Sequence, residues 1–151
     1  MRKAFLFLLC LLPVISFSSV AMAQEIACPD AGLVLSVPDA WREVPLTGAD
    51  DPELRLRLDG GAVSLYLYVS DSGDLLPDAF QVFLGDETES SVVTLSGRRM
   101  ALVAGSGAEG DYRIYTWQDR RRQVQLYFLI VSRPDASRKT IDGIMDSIAF
   151  R

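Results

Sequence analysis

The clearest pattern along the chain is an alternation of apolar and polar residues around one glycine pair. Residues 53–58 alternate strictly, Asp59-Gly60-Gly61 is a turn signal, and residues 63–69 alternate again. Alternation with a period of two predicts two strands that share one buried face and form a β-hairpin. With the two glycines at the centre of a tight turn, the pattern predicts that Leu58 pairs with Val63.

The polar side of this hairpin provides the candidate interaction residues. The predicted register places Arg55, Arg57, Tyr66 and Tyr68 side by side on the solvent-facing surface. Arginine and tyrosine are enriched where proteins bind one another, because each offers a large contact area with a polar end. These four residues form the candidate interaction patch. The structural alternative is that a helix covers the tyrosines, or that the four side chains pair across the strands.

A second hairpin is predicted from residues 111–118 and 123–132. A turn at Arg120-Arg121 would pair Trp117 with Val124, but the turn lacks Gly and Asn, so a longer loop is an equal alternative. Residues 127–131 are apolar on both faces, which predicts a central strand that is covered on both sides. Three more strands are predicted, at Leu33–Val37, Val92–Leu95 and Met100–Ala104.

Two segments have helical spacing. Residues 74–85 carry Pro77 in the first turn and an apolar face that includes Phe80. Residues 134–148 carry Pro134 and an apolar stripe (Ile141, Ile144, Met145, Ile148). Together these elements predict an α+β fold, an α/β/α sandwich around a mainly antiparallel sheet of about six or seven strands with two principal helices. No repeat or linker divides residues 24–151, so we expect one domain there.

The first 23 residues have the pattern of a secretory signal peptide. Arg2 and Lys3 precede an apolar run over residues 4–12, and Ala21-Met22-Ala23 offers small residues at a cleavage site. The run is about half of what a spanning helix needs, so cleavage after Ala23 is preferred to a retained anchor. We therefore expect a periplasmic or secreted protein that does not span the membrane after cleavage. Lipidation at Cys28 is disfavoured because Glu25 stands three residues before it.

Composition narrows the possible chemistry. The 151 residues include no His, which excludes a Ser-His-Asp triad and imidazole metal ligands. With a net charge of −5, the protein has no general electrostatic attraction to nucleic acid. Cleavage of the signal peptide would remove two basic residues and no acidic residue, so the remaining chain would be more negative. The cleaved chain would keep only Cys28 and no internal disulfide. We interpret Cys28 as a small residue near a frayed N-terminus, the alternative being a bond to a partner chain.

The remaining sequence motifs lack the neighbouring sequence that their usual functions require. Residues 105–110 match G-x-G-x-x-G, but a strand pattern follows them instead of a helix, so they are interpreted as a flexible loop. Residues 71–73 match the Asp-Ser-Gly of aspartic proteases only once in this chain. The acidic clusters at 50–53 and 86–89 lack the spacing of a calcium loop, and Arg120–Arg122 is interpreted as a solvated turn. We expect no cofactor.

Two terminal segments carry short motifs. Gly32–Trp41 has the pattern of a strand that ends in P-x-x-W, and Ile141–Phe150 has that of a helix that ends in S-I-x-F. These segments resemble the opening strand and the closing helix of the PsbP and DcrB-like group of proteins. The resemblance implies an α/β/α sandwich and a non-catalytic role in the binding, assembly or stabilisation of a larger complex. It implies no catalytic residue.

These observations favour an exported, non-enzymatic interaction protein, for instance an assembly factor or chaperone-like accessory of the cell envelope with a protein partner. A hydrolase that uses carboxylates alone is the first alternative, and it requires two acidic side chains facing each other across a cleft. A protein that binds a small ligand or Ca²⁺ is the second alternative.

Overall fold

The structure is a computed structural model that describes residues 23–71, 80, 88–108, 110–136 and 138–151. Its described residues form ten strands and one α-helix. The strands are β1 (Ala23–Cys28), β2 (Leu33–Pro38), β3 (Arg42–Glu43), β4 (Leu54–Asp59), β5 (Val63–Ser70), β6 (Glu89–Leu95), β7 (Arg98–Gly107), β8 (Gly110–Asp119), β9 (Val124–Ser132) and β10 (Ala149–Phe150). The helix is α1 (Arg138–Asp146), and a 3₁₀ turn spans Pro29–Ala31.

The strands build two antiparallel sheets. The larger sheet has seven strands in the order β3, β4, β5, β9, β8, β7, β6, and the smaller has the order β1, β2, β10. The prediction of a mainly antiparallel sheet of about six or seven strands is confirmed. The smaller sheet was not expected, because β10 has only two residues and β1 shows little alternation of apolar and polar residues.

The strand that the sequence predicts to be central, β9, lies in the middle of the large sheet. β9 lies fourth among the seven strands, with β5 on one side and β8 on the other. Its residues from Leu126 to Ile130 are all buried. A strand covered on both faces needs apolar side chains in both directions, which explains the unbroken apolar run.

The register predicted for the first hairpin, and the one that a tight turn would give the second, each differ from the structure by two residues. In the first hairpin Leu58 pairs with Leu65 instead of Val63, and in the second Trp117 pairs with Leu126 instead of Val124. The first loop includes Ala62 as well as the two glycines, of which only Gly61 has a positive φ, 79°. A shift of two residues keeps every side chain on its face, so alternation alone does not distinguish the two registers.

The second loop is the longer loop that the sequence left open. Asp119 pairs with Val124, so residues 120–123 form the connection. Gln123 has a φ of 56°, and the Asp119 carboxylate accepts the backbone N–H groups of Arg121 and Arg122. An aspartate that caps its own loop replaces the glycine that a two-residue turn would require.

A third hairpin has a tight turn between two of the predicted strands. β6 and β7 are joined by Ser96 and Gly97, with φ values of 49° and 72°. Two successive positive φ values are typical of the primed turns that match the twist of antiparallel strands.

The G-x-G-x-x-G motif is not a flexible loop. Gly105 and Gly107 lie in β7 and pair with Tyr112 and Gly110 of β8, so most of the motif forms the end of a strand pair. A β-carbon at Gly105 would overlap the ring of Tyr112. The glycines therefore serve close packing between strands, and the prediction of a flexible loop is corrected.

The smaller sheet holds the N-terminal segment firmly. All six residues of β1 pair with β2, from Ala23 with Pro38 to Cys28 with Leu33. Cys28 is only 5% exposed and belongs to the main hydrophobic cluster. The interpretation of Cys28 as part of a frayed terminus is therefore wrong, since the residue is a core position at the end of a paired strand.

The C-terminal helix is confirmed, although it is shorter than predicted. α1 runs over Arg138–Asp146 instead of 134–148, because Pro134 and Asp135 form a turn before it. Ile141, Ile144 and Met145 are its buried residues, as the apolar stripe predicts. The predicted helix over 74–85 lies outside the described residues, apart from Phe80. The structure thus describes one helix where two principal helices were predicted.

Hydrophobic side chains cover both faces of the large sheet. One cluster joins the sheet to α1 and to the smaller sheet, and it includes Leu58, Leu65 and Phe128. A second cluster on the opposite face includes Tyr68, Phe80, Tyr127 and Leu129. The described residues thus show a large sheet with apolar packing on both faces, and α1 and the smaller sheet lie on one of them.

Candidate functional site

Arg57 and Tyr66 are the part of the predicted patch that the fold brings together. They are direct partners across β4 and β5, and both are half-buried. The guanidinium carbon of Arg57 lies 5.5 Å from the centroid of the Tyr66 ring. A guanidinium over an aromatic face is attracted by the ring quadrupole, so each side chain fixes the orientation of the other.

Tyr68 is placed in the core instead. It is 6% exposed, and its ring meets the edge of Phe80 at 5.0 Å between centroids with an interplanar angle of 82°. Phe80 in turn contacts Tyr127 at 5.6 Å. Burial, with a smaller contribution from Asp51, raises the pKa of Tyr68. Of the two structural alternatives, pairing across the strands describes the contact of Arg57 with Tyr66, and Phe80 covers Tyr68.

Arg55 is separated from Arg57 by a β-bulge. Leu54 pairs with Tyr68 and Leu56 with Leu67, so Arg55 is the extra residue between two pairs. Its guanidinium donates to the carbonyl oxygens of Pro52 and Leu54. The bulge also moves Leu54 into the cluster of Tyr68 and Phe80, away from the face of Leu56. A strict alternation such as that of residues 53–58 gives no sign of a bulge.

A groove borders Tyr66 on the same face of the large sheet. It has a volume of about 370 Å³ and is lined by Ser64, Tyr66, Leu129, Val131 and Arg133, among others. We call it the tyrosine groove. It combines an apolar floor from β9 with polar edges from the first hairpin and from Arg133. This combination is typical of surfaces that contact other proteins.

The acidic cluster at 50–53 stabilises its own loop. The Asp50 carboxylate accepts hydrogen bonds from the backbone N–H and the hydroxyl of Thr47, and these bonds lower the pKa of Asp50. Asp51 accepts the N–H of Glu53, while Glu53 accepts the Ser70 hydroxyl at 2.7 Å. Across the described parts of the chain, no three carboxylate or thiol groups are placed to hold a metal ion. Asp86 and Glu87 of the second acidic cluster, and Ser72 and Gly73 of the Asp-Ser-Gly motif, lie outside the described residues.

One cavity has two carboxylates in its lining, Glu89 and Asp142. Asp142 is paired with Arg113 at 3.3 Å, so one of the two is already engaged by a cation.

A cleft of about 520 Å³ lies between the ends of the two sheets, and the sequence did not predict it. Trp117 of β8 and Phe150 of β10 form its floor, with ring centroids 4.4 Å apart. The guanidinium carbon of Arg98 lies 3.9 Å from the centroid of Phe150 and 4.8 Å from that of Trp117. Arg120, Arg121 and Arg151 also line it. We call it the arginine cleft.

The only signal of this cleft in the sequence was the run Arg120–Arg122, interpreted as a solvated turn. Arg122 donates to the carbonyl oxygen of Asp30 at 2.8 Å, so it ties the loop to the 3₁₀ turn of the smaller sheet. The other cleft residues come from strands that are distant in sequence. Their convergence depends on how the two sheets meet, which no local pattern specifies.

Among the helices that the structure describes, none has the length and apolarity to cross a membrane. Neither a protein-family model nor a curated protein sequence matches this chain.

Comparison with solved structures does find similar folds. The solution structure of cyanobacterial PsbP (CyanoP) from Synechocystis matches with a TM-score of 0.61 and 15% identity, over 89% of this chain and 96% of that one. A crystal structure from Bacteroides thetaiotaomicron matches with a TM-score of 0.57 and 10% identity, over 85% of this chain and 48% of that one. The similarity to the PsbP group that the two terminal motifs indicate is thus confirmed at the level of fold, and this chain has a PsbP-like fold.

Proposed function

We propose that this chain is an exported, non-catalytic accessory protein that acts by binding a protein partner in the cell envelope. The PsbP-like fold, which extends over 89% of the chain, is the observation that carries the proposal. The resemblance to the PsbP and DcrB-like group implies a role in the binding, assembly or stabilisation of a larger complex. We include in this proposal that residues 74–85 form the second principal helix of the predicted sandwich.

The tyrosine groove is the contact surface in this proposal. Arg57 and Tyr66 stand at one border of it in a fixed mutual orientation, so little side-chain entropy is lost when a partner contacts them. Half-buried Val131 adds apolar area beside them, and Leu129 lies buried beneath the groove. Aromatic and arginine side chains are among the residue types that contribute most to binding energy at protein interfaces, and here they lie next to an apolar floor.

Site-specific photocrosslinking in the producing cell tests this function. A photoreactive amino acid replaces Ser64, which lines the groove and is half-buried, and the matched control replaces Thr94, an exposed residue of β6. We expect a defined crosslinked protein from position 64 that is absent from position 94. Arg57→Gln should reduce its yield several-fold, because the variant removes the cation above the Tyr66 ring. Equal crosslinking from both positions, or none from position 64, would contradict the proposal.

The exported state rests on the signal pattern of residues 1–23. Sequencing the N-terminus of the protein recovered outside the cytoplasm should give Gln24 as the first residue. β1 would then keep Gln24–Cys28, and the Gln24 side chain would keep its 2.6 Å hydrogen bond to the carbonyl oxygen of Trp41. Lipidation at Cys28 would instead remove β1 before its last residue, which would expose the edge of β2.

A further inference from the structure

We infer that the arginine cleft binds a short acidic segment of a protein, in which carboxylates flank an apolar side chain. The inference rests on the proposed function in taking the partner to be a protein, but it concerns a second surface, distinct from the tyrosine groove. Four features of the described residues lead to it.

The first feature is the set of cations without acidic partners. Within the described parts of the chain, the one ion pair between side chains joins Arg113 and Asp142. Arg98, Arg120, Arg121 and Arg151 all line the cleft, and none of them forms an ion pair with a described side chain. Asp119 also lines the cleft, and its Oδ1 accepts backbone N–H groups of its own loop, so the lining carries four arginines and one acid. Like charges that share a cleft repel one another, and an anion placed between them relieves that repulsion.

The second feature is the fixed orientation of Arg98. Its guanidinium lies over the rings of Phe150 and Trp117, at 3.9 and 4.8 Å from their centroids. A guanidinium that stacks on rings uses a face of its planar group, so its N–H donors, which lie at the edge, can bind an anion beside the rings. An oriented guanidinium edge matches the two oxygens of a carboxylate.

The third feature is the rigidity of the surrounding backbone. The Arg151 N–H donates to the carbonyl oxygen of Gly32 at 2.8 Å, which closes the smaller sheet against the cleft. Gly32 has a φ of 62°, and a β-carbon there would overlap the guanidinium of Arg122. Because residue 32 is a glycine, the guanidinium of Arg122 can lie against it and connect the loop of residues 120–123 to the smaller sheet. A site built in this way needs little rearrangement to bind.

The fourth feature identifies the class of anion. The chain as a whole carries 20 acidic and 15 basic residues, so the surface outside the cleft is more acidic than the net charge of −5 suggests. A nucleic acid or an anionic membrane surface extends well beyond the cleft and meets that repulsion. A short acidic segment does not. The rings of Trp117 and Phe150 offer an apolar contact that inorganic phosphate cannot use, which favours a peptide over a small ion.

Direct titration of the purified protein tests the inference. The probe is a fluorescein-labelled peptide of alternating Glu and Leu, about eight residues long, a length that spans a cleft of this size when extended. The control peptide replaces each Glu by Gln. We expect saturable binding of the acidic peptide, weakening at least tenfold at high salt, and no binding of the neutral peptide. Trp117 lies in the cleft, so its fluorescence should change on binding.

Variants locate the site. Arg98→Gln, and separately the double variant Arg120→Gln/Arg121→Gln, should each raise the Kd at least tenfold. Arg120 and Arg121 are exposed loop residues, so the double variant tests the site even if Arg98→Gln disturbs packing. The matched controls are Arg99→Gln, the exposed neighbour of Arg98 on the same strand, and Arg42→Gln on β3. Both controls should leave the Kd unchanged.

Several outcomes would overturn the inference. These are the absence of peptide binding, equal weakening by the control variants, or equally tight binding of inorganic phosphate or of phosphatidylglycerol vesicles. None of them bears on crosslinking from position 64, because the tyrosine groove lies on a different part of the surface. Failure of the cleft and failure of the proposed function can therefore be told apart.

Discussion

The indole ring of Trp41 lies against the backbone of Gly60, in the space that a β-carbon at position 60 would occupy. Trp41 is 6% exposed, and its backbone N–H donates to the carbonyl oxygen of Pro38 at 2.9 Å, which folds the chain back after β2. This contact gives a structural reason for the P-x-x-W motif. The tryptophan joins the end of the smaller sheet to the turn of the first hairpin, and the glycine lets it approach.

Gly60→Ala should therefore destabilise the fold. A methyl group at position 60 would overlap the Trp41 ring, and overpacking of this kind costs about 1–3 kcal/mol. Gly48→Ala is the matched control, because no atom lies within 4 Å of a β-carbon at position 48. Urea denaturation followed by tryptophan fluorescence measures both. A Gly60→Ala midpoint equal to that of Gly48→Ala would contradict the packing described.

Ser147 explains the serine of the S-I-x-F motif. Its hydroxyl oxygen accepts the N–H of Ser36 at 2.9 Å and lies within hydrogen-bonding distance of the carbonyl oxygens of Ser36 and Ile144. It thus connects the end of α1 to β2. Ser147→Ala should lower the free energy of unfolding by about 1 kcal/mol, since the partly buried N–H loses a partner. The same change at Ser91, which is exposed on β6, should have little effect in the same denaturation experiment.

Gly143 offers a change in the opposite direction. It lies within α1, is exposed, and a β-carbon there would have no atom within 4 Å other than those of its own helix neighbours. Alanine is favoured over glycine in a helix interior by about 1 kcal/mol, because glycine loses more backbone entropy on folding. Gly143→Ala should raise the melting temperature by a few degrees in circular dichroism. A lower melting temperature would mean that α1 packs more closely at this residue than the structure describes.

The sequence predicted the strands better than their pairing. Alternation identified both long hairpins and the central position of β9, because a half-buried strand and a fully buried strand have different apolar patterns. It could not determine the pairing of Leu58 or Trp117, since a shift of two residues buries the same face. Nor could alternation reveal the bulge at Arg55, which separates this residue from Arg57 and so removes it from the candidate interaction patch.

The candidate sites were predictable only where both partners lie in one hairpin. Arg57 and Tyr66 lie in the first hairpin, so the strand pattern was enough to place them on the same surface, although it did not give their direct pairing. Arg98, Trp117 and Phe150 meet because the third hairpin, the central sheet and the last strand converge, which is a property of the tertiary fold. Tyr68 shows the reverse case: the predicted register placed it on the solvent-facing surface, but contact with Phe80 buries it.

Cys28 should react slowly and should make stability depend on pH in the alkaline range. Burial raises the pKa of its thiol, so the folded chain favours the neutral form. The unfolded chain releases the proton near the ordinary thiol pKa of about 8.5. The contribution is therefore complete below that pH, and stability falls as the pH rises above it. Burial also raises the pKa values of Tyr68 and Tyr115, but their ordinary pKa of about 10 places that loss at higher pH.

Two measurements on the native protein and Cys28→Ala separate these contributions. Alkylation at pH 8 should be slow in the native protein and fast after addition of urea, because thiolate formation requires the buried group to open. Urea midpoints measured between about pH 8 and pH 9.5 should fall in the native protein and stay nearly level in Cys28→Ala, since the tyrosines do not yet titrate. Rapid alkylation without urea, or equal pH slopes for the two proteins, would show that the Cys28 thiol is accessible and therefore free to form a bond to a partner chain.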